Sequence, residues 1–399
     1  MRKISKLSLV AAVAVAGFST ANAQPLEEAI KNVEVSGSVV YRYDNFGDKE
    51  DGSYEHNKYK IGLNLTSKVN DYVKFNSRFL VAAPSAHSGE FADLDAHDGA
   101  DRNPEVTLSQ ANFAFTGIQN TTISAGKLGL TTPWTVAIDS DGNEQNGTGI
   151  LALSTVGPVT AAAGYFNQTN LDVSGNINGA RKITVGTISG TALTDGHNMG
   201  SRDVYVGALL ADFSPVKLEA WYLDMADTFD TYTLVAKANF APSSDSKIGL
   251  EARYVSLDLD QADSDNAMYR LAVTGNLGIF NAKVSYTATD DEGGITALDQ
   301  DAENATLGWN ITSNGTPDAE YWQGVLGVNI LDNLNLSANY GHLKASDIDL
   351  KQEEAYGQLT YKMSKNLSTY LRYGTYEEKN SGTKISDQNR GRIQVEYTF

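Results

Sequence analysis

The sequence predicts an all-β fold, a transmembrane antiparallel β-barrel of about eighteen strands with long extracellular loops and a third loop folded inward. Three observations carry that prediction. Apolar and polar residues alternate with period two along most of the chain. Short turns and long acidic connections take turns between the alternating segments. Beyond the first 23 residues nothing approaches eighteen consecutive apolar residues, so no helix is long enough to span a bilayer. In lipid the remaining way to satisfy every backbone polar group is a closed barrel.

The leader comes first. Arg2, Lys3 and Lys6 precede an apolar run over residues 7–18, and Ala21-Asn22-Ala23 supplies small residues around a cleavage point. That order of charge, apolar run and small residues predicts a secretory signal peptide over residues 1–23, cut after Ala23, with residues 24–399 as a single barrel domain.

In the first strand Val35, Gly37, Val39, Tyr41 and Tyr43 share one face, and Ser36, Ser38 and Arg42 the other. Tyr59, Ile61, Leu63 and Leu65 oppose Lys60, Asn64 and Thr66; Val73, Phe75 and Phe79 oppose Lys74, Asn76 and Arg78. The pattern weakens at Leu218, Ala220 and Tyr222 and returns at Leu334, Leu336, Ala338 and Tyr340. It ends on Ile393, Val395, Tyr397 and Phe399, so Phe399 reads as the last rung of the last strand. Short turns are expected at Asn70, Asn120, Gly157, Pro215, Ser243, Leu277, Asp332 and Lys365. The long connections are DNFGDKEDGSYE, GEFADLDAHDGADR, residues 167–200, DLDQADSDN, TDDEGG and LDQDAE.

Alternating segments number about nineteen, but a barrel that starts and ends on one side has an even count. Residues 305–311, ATLGWNI, are followed by a polar stretch and not by a tight turn. They are therefore assigned to the long loop after residue 287, which leaves eighteen strands and a lumen wide enough for water. Twenty tyrosines against thirteen phenylalanines suit the membrane–water interface.

Composition excludes several classes. A formal charge of −18 argues against a nucleic-acid partner. The absence of cysteine excludes disulfides, thiolate metal sites and a thiol nucleophile. Of the histidines, His56, His87, His97 and His197 fall in or beside loops. His342 falls in phase with outward residues, and no G-x-S-x-G elbow accompanies it, so no enzyme is predicted.

The third loop, residues 127–149, differs from the others in carrying Pro133, Trp134, Val136 and Ile138. Apolar anchors of this kind are expected to pack on the barrel wall. Asp139, Asp141 and Glu144 would then stand at a pore constriction, facing Arg42, Lys60 and Arg78 on the lumen side of the wall and Lys127 at a strand end. Charged rings of this sort select ions. The run Asp139-x-Asp141-Gly142 lacks the later glutamate and the helices of an EF-hand, so it is not one.

The stretch QPLEEAIKNVEVSGSVVYRYDNF, the run WTVAID at residues 134–139, the GTG at residues 147–149 and the C-terminal strand resemble the campylobacter-type major outer membrane protein porins. That resemblance implies an outer-membrane, homotrimeric, eighteen-stranded porin that passes ions and small hydrophilic solutes and prefers cations. It also implies a calcium ion near the constriction. Asp139 matches a family ligand, Asp172 and Asp299 are further candidates, and Asp301 is an alternative to Asp299. A substrate-specific channel, or an adhesin or structural barrel, would share the same fold.

Overall fold

The computed structural model describes residues 33–49, 52–83, 89–94, 104–171, 199–260 and 265–399; the expected signal peptide over residues 1–23, Asp172, His87, His97 and His197 lie outside them. The strands are β1 (Val33–Asp48), β2 (Gly52–Lys68), β3 (Val73–Ala82), the two-residue β4 (Ala92–Asp93), β5 (Glu105–Ile118), β6 (Thr121–Gly129) and β7 (Asn146–Val156). They continue as β8 (Val159–Thr169), β9 (Val204–Phe213), β10 (Val216–Met225), β11 (Phe229–Ser243), β12 (Ser246–Leu259) and β13 (Asp265–Leu277). The set closes with β14 (Phe280–Thr289), β15 (Ala319–Leu331), β16 (Leu334–Ala345), β17 (Leu350–Lys362), β18 (Leu367–Asn380) and β19 (Thr383–Thr398). β4 lies on β2 through Tyr59↔Ala92 and belongs to a loop, so the wall is a closed antiparallel barrel of 18 strands.

Closure falls between the two ends of the chain. β1 pairs with β2 on one side and β19 on the other, with Tyr41↔Val395 and Arg42↔Gln394 in register. Phe399 extends the seam by exchanging backbone hydrogen bonds with Gly37 at 2.9 and 3.1 Å. Each of the eight expected short turns joins two neighbouring wall strands. Two turn on glycines with positive φ, Gly157 at 57° and Gly278 at 55°, which a tight hairpin demands and a side chain resists.

Two acidic stretches are not long loops. Residues of DNFGDKEDGSYE continue the β1–β2 ladder, with Asn45↔Glu55, Phe46↔Tyr54 and Gly47↔Ser53 in register. Likewise β12 runs to Leu259 and β13 starts at Asp265. Above the membrane both faces of a strand meet water, so the apolar alternation disappears while the ladder goes on. Residues 305–311 are, as expected, outside the wall, in the long connection between β14 and β15.

Parity divides the faces. Val35, Val39 and Tyr41 are exposed, whereas Arg42, Lys60 and Arg78 are buried on the inner side. An outer aromatic girdle runs across β8 to β15: Tyr165 meets Tyr205 at 5.2 Å, Tyr269 meets Tyr286 at 6.2 Å, and Tyr286 meets Trp322 at 4.7 Å. His342 stands opposite Trp322 in this girdle.

The buried core sits inside the barrel, where two loops pack on the wall. Trp134 of the third loop and Ile295 and Leu298 of the β14–β15 loop join Phe166, Leu223, Met225, Phe229 and Leu257 in one apolar cluster. Further along the same loop Ile311 packs with Tyr321, Leu343, Leu350 and Tyr376. Trp134 is fully buried, but Ile138, expected as another anchor, is exposed.

Candidate pore constriction

Glu144 is the hub of the third loop's attachment. It sits near the end of the loop, two residues before β7, and only 1% of its side chain is exposed. Lys60 on β2 donates to its Oε1 at 2.8 Å, Arg78 on β3 donates through Nε and Nη2 at 2.8–3.0 Å, and Ser109 on β5 donates to Oε2 at 2.5 Å. Lys60 also donates to the carbonyl of Gly142. Burial alone would push the Glu144 carboxyl up, but the Arg78 and Lys60 charges override it and hold it below the ordinary glutamate value. The period-two pattern of β2 and β3 brings Lys60 and Arg78 to one inner patch, and Ser109 joins them at a register irregularity of β5 opposite Arg78 and Phe79.

Arg42 on β1 forms a second attachment. Its Nη1 donates to Asp141 Oδ1 at 3.2 Å, another terminal nitrogen donates to the Ser140 carbonyl, and Nε donates to Gln394 at 3.0 Å. The Arg42 guanidinium also lies over the Phe91 ring at 4.2 Å. Arg42, Lys60, Arg78, Asp141 and Glu144 are therefore directly paired and do not face one another across open lumen. Lys127 is not brought to the loop acids; its Nζ donates to the Leu108 carbonyl at 2.9 Å. Its place near the top of β6 aims it along the neighbouring strand.

A separate group of acids has no basic partner among the described residues. Carboxylate oxygens of Asp139, Asp299 and Asp301 lie within 4.8 Å of one another. Asp139 is occupied by the Asn143 amide and side chain at 2.7 and 2.8 Å, and Asp301 accepts from Ser140 at 2.9 and 3.0 Å. Burial, with the neighbouring carboxylates adding to it, pushes Asp139 up to about 6 and Asp299 to about 7. A buried set of like charges held this way calls for a cation or for protons.

The sequence points to Asp299 and Asp301 of the β14–β15 loop as candidate ligands but not to the packing of that loop on the third loop. Leu298 N–H donates to the Trp134 carbonyl at 2.8 Å, Asn304 N–H to the Pro133 carbonyl at 3.0 Å, and Gln145 to the Leu298 carbonyl at 3.0 Å. The two loops form one assembly. The second is held on the wall by Arg253 of β12, which donates to Asn304 at 2.8 Å and to Glu303, and by Arg270 of β13, which donates to the Glu303 carbonyl at 2.6 Å. Glu251 bridges both arginines. Near its far end Glu354 of β17 accepts the backbone N–H groups of Trp309 and Asn310 at 2.9 and 2.8 Å. The available signal was the apolar run ITAL at residues 295–298 inside an acidic loop.

A family model described as the Campylobacter major outer membrane protein matches residues 1–399. The chain belongs to that family. It is accordingly an outer-membrane porin, and family and fold point away from an enzyme. No curated protein matches the sequence. Among solved structures this family member is similar to Pseudomonas aeruginosa OpdQ, with 16% identity, a TM-score of 0.73, and coverage of 92% of this chain and 99% of that one. It is also similar to Acinetobacter baumannii OccAB3, at 12% identity, TM-score 0.72, and coverage of 92% and 99%. A third is Pseudomonas aeruginosa OccK2 in complex with glucuronate, at 14% identity, TM-score 0.71, and coverage of 92% and 98%. At such identities the likeness shows the barrel fold.

Proposed function

We propose that this porin is a passive, cation-preferring diffusion channel for ions and small hydrophilic solutes, narrowed by the third loop and the β14–β15 loop together. The observation that carries the reading is the acid cluster Asp139, Asp299 and Asp301, left without a basic partner while Lys60, Arg78 and Arg42 are spent on Glu144 and Asp141. A net charge of −18 adds a negative field that concentrates cations, more weakly as salt rises.

The same cluster suits calcium, a hard cation that takes carboxylate and carbonyl oxygens. Asp139, Asp299 and Asp301 would hold it, and its charge would tie the two loops together. Asp172, the further ligand that the family resemblance implies, lies outside the described residues. Assembly as a homotrimer belongs to this proposal and rests on the family resemblance.

The test is single-channel recording of the purified protein in a planar bilayer across a salt gradient. Current steps in threes and a cation-favouring reversal potential are expected. Charge reversal of Asp139 and Asp141 to Lys should move that potential toward zero, and chelating calcium should alter the conductance. A reversal potential unchanged by the substitutions would remove the third loop from the selectivity step. Folded protein without conductance would move the weight to a structural barrel or adhesin. The rival reading, a substrate-specific channel, draws support from the lumen arginines described next and from the glucuronate named with OccK2.

A further inference from the structure

Four arginines form a strip on three adjacent wall strands: Arg42 on β1, Arg390 and Arg392 on β19, and Arg372 on β18. Register brings them together, with Arg372 opposite Arg392, Arg392 opposite Asp44, and Arg390 opposite Phe46. Two of them are neutralised. Arg42 pairs with Asp141 at 3.2 Å and Arg392 with Asp44 at 2.5 Å.

The other two have no carboxylate partner among the described residues. Arg372 Nε donates to Gln358 Oε1 at 2.7 Å, which leaves its terminal nitrogens unbonded. Among the described residues the Arg390 side chain has no hydrogen-bond acceptor, and its Nε is buried; so is Trp309 Nε1. Both arginines are half-buried and share the inner phase of their strands with Arg392, Arg372 directly across from it and Arg390 two residues before it. Without a carboxylate among the described residues, they contrast with Lys60, Arg78, Arg253 and Arg270, whose charges are each met by glutamate.

Aromatic rings hold both guanidiniums in place. Arg372 lies 5.0 Å from the Trp309 and Tyr356 ring centres and 5.3 Å from that of Tyr370. Arg390 lies 3.9 Å over Phe46 and 5.5 Å from Trp309. These cation–π contacts restrain the guanidiniums before any ligand arrives, which lowers the entropy cost of binding. The nearby acids are already committed, Glu354 to the backbone N–H groups of Trp309 and Asn310 and Asp44 to Arg392.

We propose that Arg372 and Arg390, flanking Trp309, form a lumen subsite for a small organic carboxylate. The proposal rests on the channel reading and names a solute class for it. A carboxylate matches two preorganised guanidinium forks through charge-assisted hydrogen bonds. The surrounding rings offer the carbon part of the solute an apolar contact that an inorganic anion cannot use. Glu354, Asp44 and Asp141, close by, disfavour a doubly charged anion.

The test uses the full chain, folded in detergent, and follows tryptophan fluorescence while galacturonate, galactose or inorganic phosphate is added. Galacturonate should give a saturable change; galactose, its uncharged counterpart, and phosphate should not. The response should vanish in Trp309→Phe and weaken about ten-fold or more in Arg372→Gln/Arg390→Gln. Arg390→Lys, which keeps the charge and loses the fork, should fall between, and heat-modified migration on a gel reports that each variant is folded. Equal responses to galacturonate and galactose, or a double variant responding like the parent, would overturn the subsite. Galacturonate should also lower single-channel current in the parent. Channels that conduct but do not discriminate would sink the subsite alone, whereas binding without any current would sink the porin reading alone.

Discussion

The two inward loops are fastened to the wall in opposite ways. The third loop concentrates its attachment on one carboxylate, Glu144, gripped by Lys60, Arg78 and Ser109, all of them buried, with the Arg42–Asp141 pair and Trp134 as further holds. The β14–β15 loop spreads its attachment over Glu303, Asn304, Trp309, Asn310 and the apolar Ile295, Leu298 and Ile311. Its ionic anchor, Glu303, is 57% exposed and shares its arginines with Glu251. A single deeply buried hub concentrates the energy in one residue, because losing it strands two charges away from water. A distributed anchor tolerates the loss of any one member, because solvent and neighbours take over.

Glu144→Gln attacks the contrast at its strongest point. It should loosen the third loop by about 3 kcal/mol, the low end of the penalty for breaking a buried pair. Faster proteolysis within residues 130–145 would show it, with a larger conductance beside it. Unchanged protection would mean that Trp134 and not Glu144 holds the loop. Acid should reproduce the effect more gently. A carboxyl held below its ordinary value stabilises fully above that value and loses the contribution as pH falls through the lowered one. The Glu144 contribution to hydrogen-exchange protection of the loop should therefore stay level from neutral pH down to the ordinary 4.5 and decline only below it, on top of a gain between about 7 and 4.5 as the raised Asp139 and Asp299 carboxyls take up protons. The Glu144 part of that decline should be missing in Glu144→Gln; an identical decline in both proteins would assign it to other groups. The smallest effect belongs to Glu303→Gln, under about 1 kcal/mol for a half-exposed ion pair. Exchange protection of residues 295–311 reads it, and a loss as large as that of Glu144→Gln would erase the distinction between the two loops.

Much of this was legible along the chain. The alternation at Val35–Tyr43 gave the faces, the turns at Gly157 and Leu277 gave the hairpins, and strand parity removed residues 305–311 from the wall. Arg42, Lys60 and Arg78 could be placed on the inner face for the same reason. Lys127 could not, since at the top of a strand its direction depends on the neighbouring backbone. For the β14–β15 loop only Asp299 and Asp301 stand out along the chain, as calcium candidates implied by the resemblance; its packing on the third loop does not, because its charges outweigh the short run at residues 295–298 in any local window. Its role rests on Trp134 and Pro133, more than 150 residues earlier in the chain.

By itself the sequence determined the barrel, its strand number and the inner and outer faces, because each of these follows from period-two patterning and from a lipid solvent that accepts only closed hydrogen-bond ladders, while the family came from the resemblance carried by runs such as WTVAID. Only the tertiary structure decided which charges are spent and which remain. Glu144 neutralises Lys60 and Arg78, Asp44 neutralises Arg392, and Asp139, Asp299, Asp301, Arg372 and Arg390 are left over among the described residues. Pairing depends on distances of a few ångströms between residues from distant strands and loops, and interaction energies in a partly dry lumen change steeply over that range.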